Sequence, residues 1–293
     1  MPYDTDAKLN AEQAHRRVAP TSGEPISVGQ GFNALSFKHG MYSGDMDPLI
    51  MVDHFTMTEP TFGPHAHAGL SAVSILFEDS YGQFHNKDSL GNDIDLMPGD
   101  LYWLKAGRGA VHDEKPRPGA RTHALQVFVN LPAVMKYDAP NSLHVKASDM
   151  PILSGNGYRA RLMLGESAEH QSKGSPALPM TILDLTLDND AHFEHSVPSG
   201  QSVFILSIDG EAMVQMGRET ITLGRGKSAS FHPLATDEPL ILNSAEQAHI
   251  AILQAAPLNE TFVQQGPFAM RTQVEVDAMF AAHAAGGLGS INT

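Results

Sequence analysis

Two short pairs in this chain carry side chains that could hold a metal ion. His65 and His67 stand one residue apart in "FGPHAHAGLSAVSIL", and His112 and Glu114 stand one residue apart in "GRGAVHDEKP". Along an extended strand, residues i and i+2 project to the same face, so each pair forms a two-pronged grip if its segment is a strand. Two such strands side by side bring three imidazoles and one carboxylate together. That set binds a divalent ion and leaves one or two positions for water, dioxygen or a chelating substrate. Chance pairing is the competing reading, because the chain contains 15 histidines. The surroundings favour the site: an apolar strand follows the first pair, and the glycine-rich turn of "PGDLYWLKAGRG" precedes the second.

The composition narrows the chemistry. With no cysteine, the chain has no thiolate nucleophile and no disulfide framework. Any metal must be held by nitrogen and oxygen. Fe(II), Mn, Ni, Cu(II) and catalytic Zn suit such donors. A length of 293 residues, 42% of them hydrophobic, allows one large domain or two of ordinary size. The formal net charge of −14 repels phosphate backbones, and the densest basic run, His15-Arg16-Arg17, is short, so no direct nucleic-acid binding is expected. No apolar stretch approaches the ~20 residues of a membrane-spanning helix. The opening "MPYDTDAKLNAEQAHRR" has no apolar core of a secretion signal, and a cytoplasmic location is expected.

The elements that would position the pairs are short strands bounded by Gly, Pro, Asn and Asp. Examples are "SAVSILF" (71–77), "DLYWLKA" (100–106), "HALQVFVNL" (123–131), "SVFILSI" (202–208) and "AHIAILQA" (248–255). A weak internal repeat joins them: "HAGLSAVSILFEDSYGQF" is echoed by "PSGQSVFILSIDGEAMV", and "THALQVFVNLP" by "AHIAILQAAPL". The expected fold is all-β, two tandem barrels over roughly 25–145 and 155–258, dividing the chain into 1–150 and 151–293. The second copy has Ser196 and Pro198 where the first has His65 and His67, so a metal is expected in the first barrel alone. The end reads as one helix over 272–285, with a Thr272/Glu275 capping box and with Val276, Met279 and Phe280 on its packed face.

These segments resemble the two motifs of the cupin superfamily and, within it, the pirin family. The pirin pattern pairs a "HPHRGFET"-like motif with "DSLGN", "AGRGxxHxE" and a strand ending "VNLP". Here the matching stretches are "HAHAGLSA", "DSLGN", "AGRGAVHDE" and "VFVNLP". "DPLIMVDHF" (47–55) and "PLNETFVQQGPFAMRT" (257–272) extend the likeness, which runs from about residue 26 to 285. The resemblance implies a bicupin with one metal, usually iron, held by His65, His67, His112 and Glu114. It implies a dioxygenase of the quercetinase type, which opens a flavonol ring with O2, or else an iron-dependent regulator acting through protein partners. The first motif departs from the family at Ala66, Ala68, Leu70 and Ser71, where Pro, Arg, Phe and Glu are usual. Losing an Arg and a Glu there implies a roomier and less charged pocket.

Other residues carry less. Glu114 is expected as a ligand, and a carboxylate able to swing off the metal could also act as general base toward a flavonol hydroxyl. His85 reads as a solvated turn residue and His54 as a hydrogen-bonded partner of Asp53. His123 opens a strand with no assigned chemistry. Trp103 and Phe128 read as core or pocket wall. His192, His195, His232 and His249 are assigned no chemistry. The Gly-Arg-Gly runs at 107–109 and 224–226 read as tight β-turns.

Overall fold

Side chains alternating along each strand decide the architecture of this computed structural model, which describes residues 18–42 and 46–291. The N-terminal stretch, with its basic run at 15–17, lies outside the described residues. In the strand Thr122–Asn130, Leu125, Val127 and Val129 point to one face, and Ala124, Gln126 and Phe128 point to the other. The first face packs against the other half of the molecule, and the second lines the interior of a barrel. Leu70–Leu76 is covered on both faces and so is buried at every position, although Ser71 and Ser74 interrupt its apolar run.

Each half pairs a seven-stranded antiparallel sheet with a four-stranded one. In the first half the large sheet runs in the order 141–145, 101–105, 70–76, 122–130, 49–57, 32–38, 24–28, and the small sheet in the order 65–67, 110–116, 84–88, 93–96. The second half repeats this plan: its central strands run 227–231, 202–209, 248–255, 180–187, 158–164, beside a small sheet of 191–197, 238–244, 211–216 and 219–224. The expected all-β fold of two barrels with a terminal helix is what forms. The internal repeat read from the sequence corresponds to these matching strand orders.

The two large sheets face each other. Phe37, Val73, Trp103 and Val127 of the first half share one apolar cluster with Ile182, Phe204, Leu206 and Leu253 of the second. Through this interface passes Arg161, fully buried. Its guanidinium donates to Asp184 at 2.6 and 2.9 Å, and to the carbonyl oxygen of Gly99 in the first half at 2.8 Å. The chain also crosses between halves at its ends. The short strand Thr21–Ser22 joins the second half's large sheet beside Lys227–Phe231. After residue 257 the chain returns to the first barrel.

That return is a hairpin, Val263–Gln265 with Phe268–Met270, followed by the helix Gln273–Ala284. Thr272 caps the helix by accepting from the Glu275 amide. Val276 and Met279 are buried against Ala66, Ala68, Val111 and Phe268 of this contact. Phe280 differs from expectation: it is 37% exposed, with its ring edge-on to Phe268 at 4.8 Å between ring centres.

Arg161→Leu leaves the buried Asp184 without its cation, and the expected loss is about 3–5 kcal/mol of stability, read as a lower denaturant midpoint. The double change Arg161→Leu/Asp184→Leu recovers much of it. A single variant as stable as the parent contradicts this role.

Candidate metal centre

The strand His65–His67 pairs antiparallel with Ala110–Pro116 in a register that sets His112 opposite His65. The small sheet thereby delivers three imidazoles to one point. Nε2 of His112 lies 3.0 Å from Nε2 of His67 and 3.1 Å from Nε2 of His65. Among the described residues this is the one group of three or more His or acidic side chains whose donor atoms all lie within 4.8 Å of one another.

Backbone carbonyls aim two of the rings. Nδ1 of His65 is 2.9 Å from the carbonyl oxygen of Gly63, and Nδ1 of His67 is 3.3 Å from that of Pro267. A proton on each Nδ1 donates outward, which leaves the Nε2 lone pair facing the centre. Burial, then the neighbouring His65, lowers the His67 pKa to about 3. Burial, then His67 and His65, holds His112 well below the ordinary histidine range. Both rings are neutral at physiological pH. Nδ1 of His112 is buried with no hydrogen-bond partner among the described residues, and it lies 3.8 Å from Oε2 of Glu114. Three converging lone pairs repel one another, and one divalent cation satisfies all three while letting the His112 Nδ1–H face a carboxylate. The donor set therefore fits a metal ion held by nitrogen.

Glu114 sits beside this triad rather than within it. Ser74 Oγ, on the large sheet, donates to Glu114 Oε1 at 2.6 Å. Burial pushes the carboxyl up to about 7 against that hydrogen bond, and the charges of Asp113 and Asp88 push the same way. Glu114, His65 and His67 line a cavity of about 390 Å3 whose walls include Phe32, Phe55, Phe62 and Phe128. The Phe128 ring packs edge-on against His67 at 5.1 Å. That volume falls in the range of small-molecule sites.

Several neighbours depart from the sequence reading. None of Ala66, Ala68, Leu70 and Ser71 lines the cavity. Ala66 and Ala68 alternate with the histidines, so they face the opposite way and seat the C-terminal hairpin and helix. Their small size serves that packing and does not enlarge the pocket. His85 is buried on a strand and pairs with Asp93 at 2.7 Å, so it is no solvated turn residue. His54 bonds across strands to His123, Nε2 to Nε2 at 2.7 Å, rather than to Asp53. Of the two residues read as core or pocket wall, Trp103 is core, in the apolar interface between the halves, and Phe128 lines the cavity. In the second barrel His195, as expected, joins no cluster of metal-ligating side chains among the described residues: it is buried and bonded to Ser167 at 2.9 Å and Gln254 at 2.6 Å.

Lys136 is the supporting residue that sequence reasoning missed. Its ammonium is buried and donates to the carbonyl oxygens of Gly69 at 2.9 Å and Ala269 at 2.8 Å, and to Asn130 Oδ1 at 2.6 Å. It thus fastens the turn after His67 to the hairpin that supplies the Pro267 carbonyl. Gly69 is required there: its φ is +72°, and a Cβ would lie 2.1 Å from the Ala269 oxygen. A lone lysine in a loop carries no periodic signal from which this contact could be read.

Comparison with known proteins agrees with this architecture. Residues 23–129 match the family model described as Pirin, and residues 182–289 match that of the Pirin C-terminal cupin domain. The chain is 31% identical to Pirin of Mus musculus over 241 residues, 79% of each chain. It is 28% identical to a putative quercetin 2,3-dioxygenase of Pseudomonas aeruginosa, over 87% of this chain and 92% of that one. Among solved structures, quercetin 2,3-dioxygenase from Acinetobacter baumannii superposes with a TM-score of 0.82 at 25% identity, covering 94% of this chain and all of that one. The bacterial pirin YhhW of Escherichia coli, in complex with nickel(II), shares the fold at a TM-score of 0.61 and 13% identity, over 82% of this chain and 99% of that one.

The protonation states make a prediction about metal uptake. His67 and His112 are already neutral, so they release no proton to an incoming ion near neutral pH. Glu114 is protonated below about 7 and must lose that proton to stand beside a cation. Affinity for Zn(II) should climb as pH rises through about 7 and then level off. Calorimetry in buffers of different ionisation enthalpy should find more protons released per ion at about pH 6 than at about pH 8. Proton release that does not change across this interval contradicts the assignment.

Proposed function

This chain belongs to the pirin family, and on that premise we propose that it is a metal-dependent dioxygenase that opens a flavonol ring with O2. The observation that carries the reading is the convergence of His65, His67 and His112 at a small, aromatic-walled cavity. The proposed ligands are those three histidines, with Glu114 as the carboxylate of the set. Iron as Fe(II) is the proposed ion. When bound, it supplies a Lewis-acidic position at which a chelating enolate and dioxygen can be brought together.

The chain's own groups do the rest. The phenylalanine walls accept a flat ring system and exclude water, which strengthens the polar contacts inside. The backbone carbonyls of Gly63 and Pro267 hold two imidazoles in the tautomer that presents Nε2 inward. Glu114, with its carboxyl raised to about 7, is matched to taking the flavonol hydroxyl proton at Oε2 while Ser74 steadies Oε1. The likeness to named quercetin dioxygenases supports the substrate class, and the cavity's size and apolar walls agree with it.

Aerobic incubation of the Fe(II)-loaded protein with quercetin should consume flavonol and dioxygen in equal amounts. His67→Ala should abolish both consumption and metal retention. Failure to turn over any member of a flavonoid panel, with iron retained, overturns the reading. Glu114→Gln separates that residue's two roles. If it is a base, the metal stays and kcat falls by about 10²–10⁴-fold; if it is chiefly a ligand, elemental analysis shows the metal lost as well.

A further inference from the structure

A chain of polar side chains crosses the second barrel at His195. Burial alternates along the strand Ala191–Val197, and His195 stands on its buried face. Nε2 of the ring lies 2.6 Å from Gln254 Oε1, and Nδ1 lies 2.9 Å from Ser167 Oγ. An amide oxygen only accepts, so the ring proton sits on Nε2 and the lone pair on Nδ1. The Ser167 hydroxyl therefore donates to Nδ1. Gln254 is held in turn, its Nε2 donating to Gln201 Oε1 at 2.7 Å. Burial lowers the His195 pKa against the Gln254 hydrogen bond, so the ring is neutral at neutral pH. Ser167 ends a two-residue strand that forms a hairpin with His170–Gln171. The turn begins at Ala168, whose φ of +50° is uncommon for a residue with a side chain. Backbone of this kind clusters at working sites. Ser167 and Gln254 both line a cavity of about 480 Å3, where Gly165, Ala168 and Gly174 add little side-chain bulk. Among the described residues Glu166 is the one charged group on its wall.

A hydroxyl bonded to a neutral imidazole, with that imidazole oriented by a third group, is the arrangement of an activated nucleophile. We propose that Ser167, His195 and Gln254 form a hydrolytic site in the second barrel, which cleaves small uncharged esters through an acyl-serine. Ser167 Oγ bonds to the ester carbonyl carbon while its proton passes to His195 Nδ1. The bond from that carbon to the alcohol oxygen then breaks, and Nδ1 returns the proton to the departing oxygen. Water repeats the sequence on the acyl-serine: its proton goes to Nδ1, its oxygen bonds to the carbonyl carbon, and the acid leaves as Ser167 Oγ recovers the proton. Gln254 is a positioning residue that keeps the second ring proton on Nε2. The amide of Ala168, the residue after the nucleophile, takes no part in the strand pairing of the hairpin and donates to the carbonyl oxygen as it becomes negative. With no lysine or arginine on the cavity wall, the substrate class is neutral rather than anionic. The site is independent of the dioxygenase reading.

The full chain, treated with an alkyl fluorophosphonate and digested, should show one adduct by mass spectrometry, on Ser167. The same protein should hydrolyse p-nitrophenyl acetate. Ser167→Ala should lose the adduct and lower kcat/KM for the ester by about 10²-fold or more. His195→Asn still offers Ser167 an acceptor but no base, and it should lose both in the same way, which secures the test if the alanine variant folds poorly. Gln254→Glu places a carboxylate behind the ring and should move the acid limb of the labelling rate to higher pH. An unmoved limb contradicts the positioning role, which a merely structural Gln254 would leave unmoved. No adduct at Ser167, or ester turnover that is the same in the parent, Ser167→Ala and His195→Asn, overturns the site. An adduct at Ser167 without ester turnover overturns the hydrolysis.

Discussion

Three imidazole lone pairs directed at one point repel one another, and the rest of this structure follows from holding them there. Two backbone carbonyls, of Gly63 and Pro267, fix the outward protons of His65 and His67. Burial keeps His67 and His112 neutral, so their repulsion is not relieved by protonation near neutral pH. A divalent cation at the meeting point converts the conflict into coordination. The Pro267 carbonyl comes from a segment 200 residues downstream of His67. That segment is held by Lys136, by Gly69 and by the helix at the end of the chain. The C-terminal return thus helps to aim the candidate metal centre's His67.

The two barrels bury histidines in different surroundings. Both have the same strand order, and both bury a histidine in the small sheet. In the second barrel His195 spends both ring nitrogens on Ser167 and Gln254. Those bonds satisfy it fully, and no converging donors remain to attract an ion. The second barrel contributes instead to stability: its large sheet covers the outer face of the first barrel's large sheet, and Arg161 ties the two through Asp184 and Gly99. The strands that carry Ser74 and Gln126 are packed on both faces.

Much of this was legible in the sequence, for physical reasons. The i, i+2 spacing of His65 with His67, and of His112 with Glu114, is a local consequence of strand geometry, and the strands and the capped helix announced themselves by period and punctuation. What could not be read were contacts that depend on register between distant segments. Ser74 reaches Glu114 only because the large and small sheets close into a barrel. Lys136 meets Gly69 and Ala269 only after the chain has returned. Ala66 and Ala68 were read as pocket residues because of what the family usually places there. Their own alternation with the histidines puts them on the other face, under the helix.

The central claim is that His65, His67 and His112 hold one metal ion. Anomalous diffraction at the iron edge, from crystals of the protein loaded anaerobically with Fe(II), tests it most directly. The account predicts a single peak per chain, about 2.1 Å from the Nε2 atoms of His65, His67 and His112, and none in the second barrel. No peak at that point, or a peak coordinated elsewhere, would contradict it.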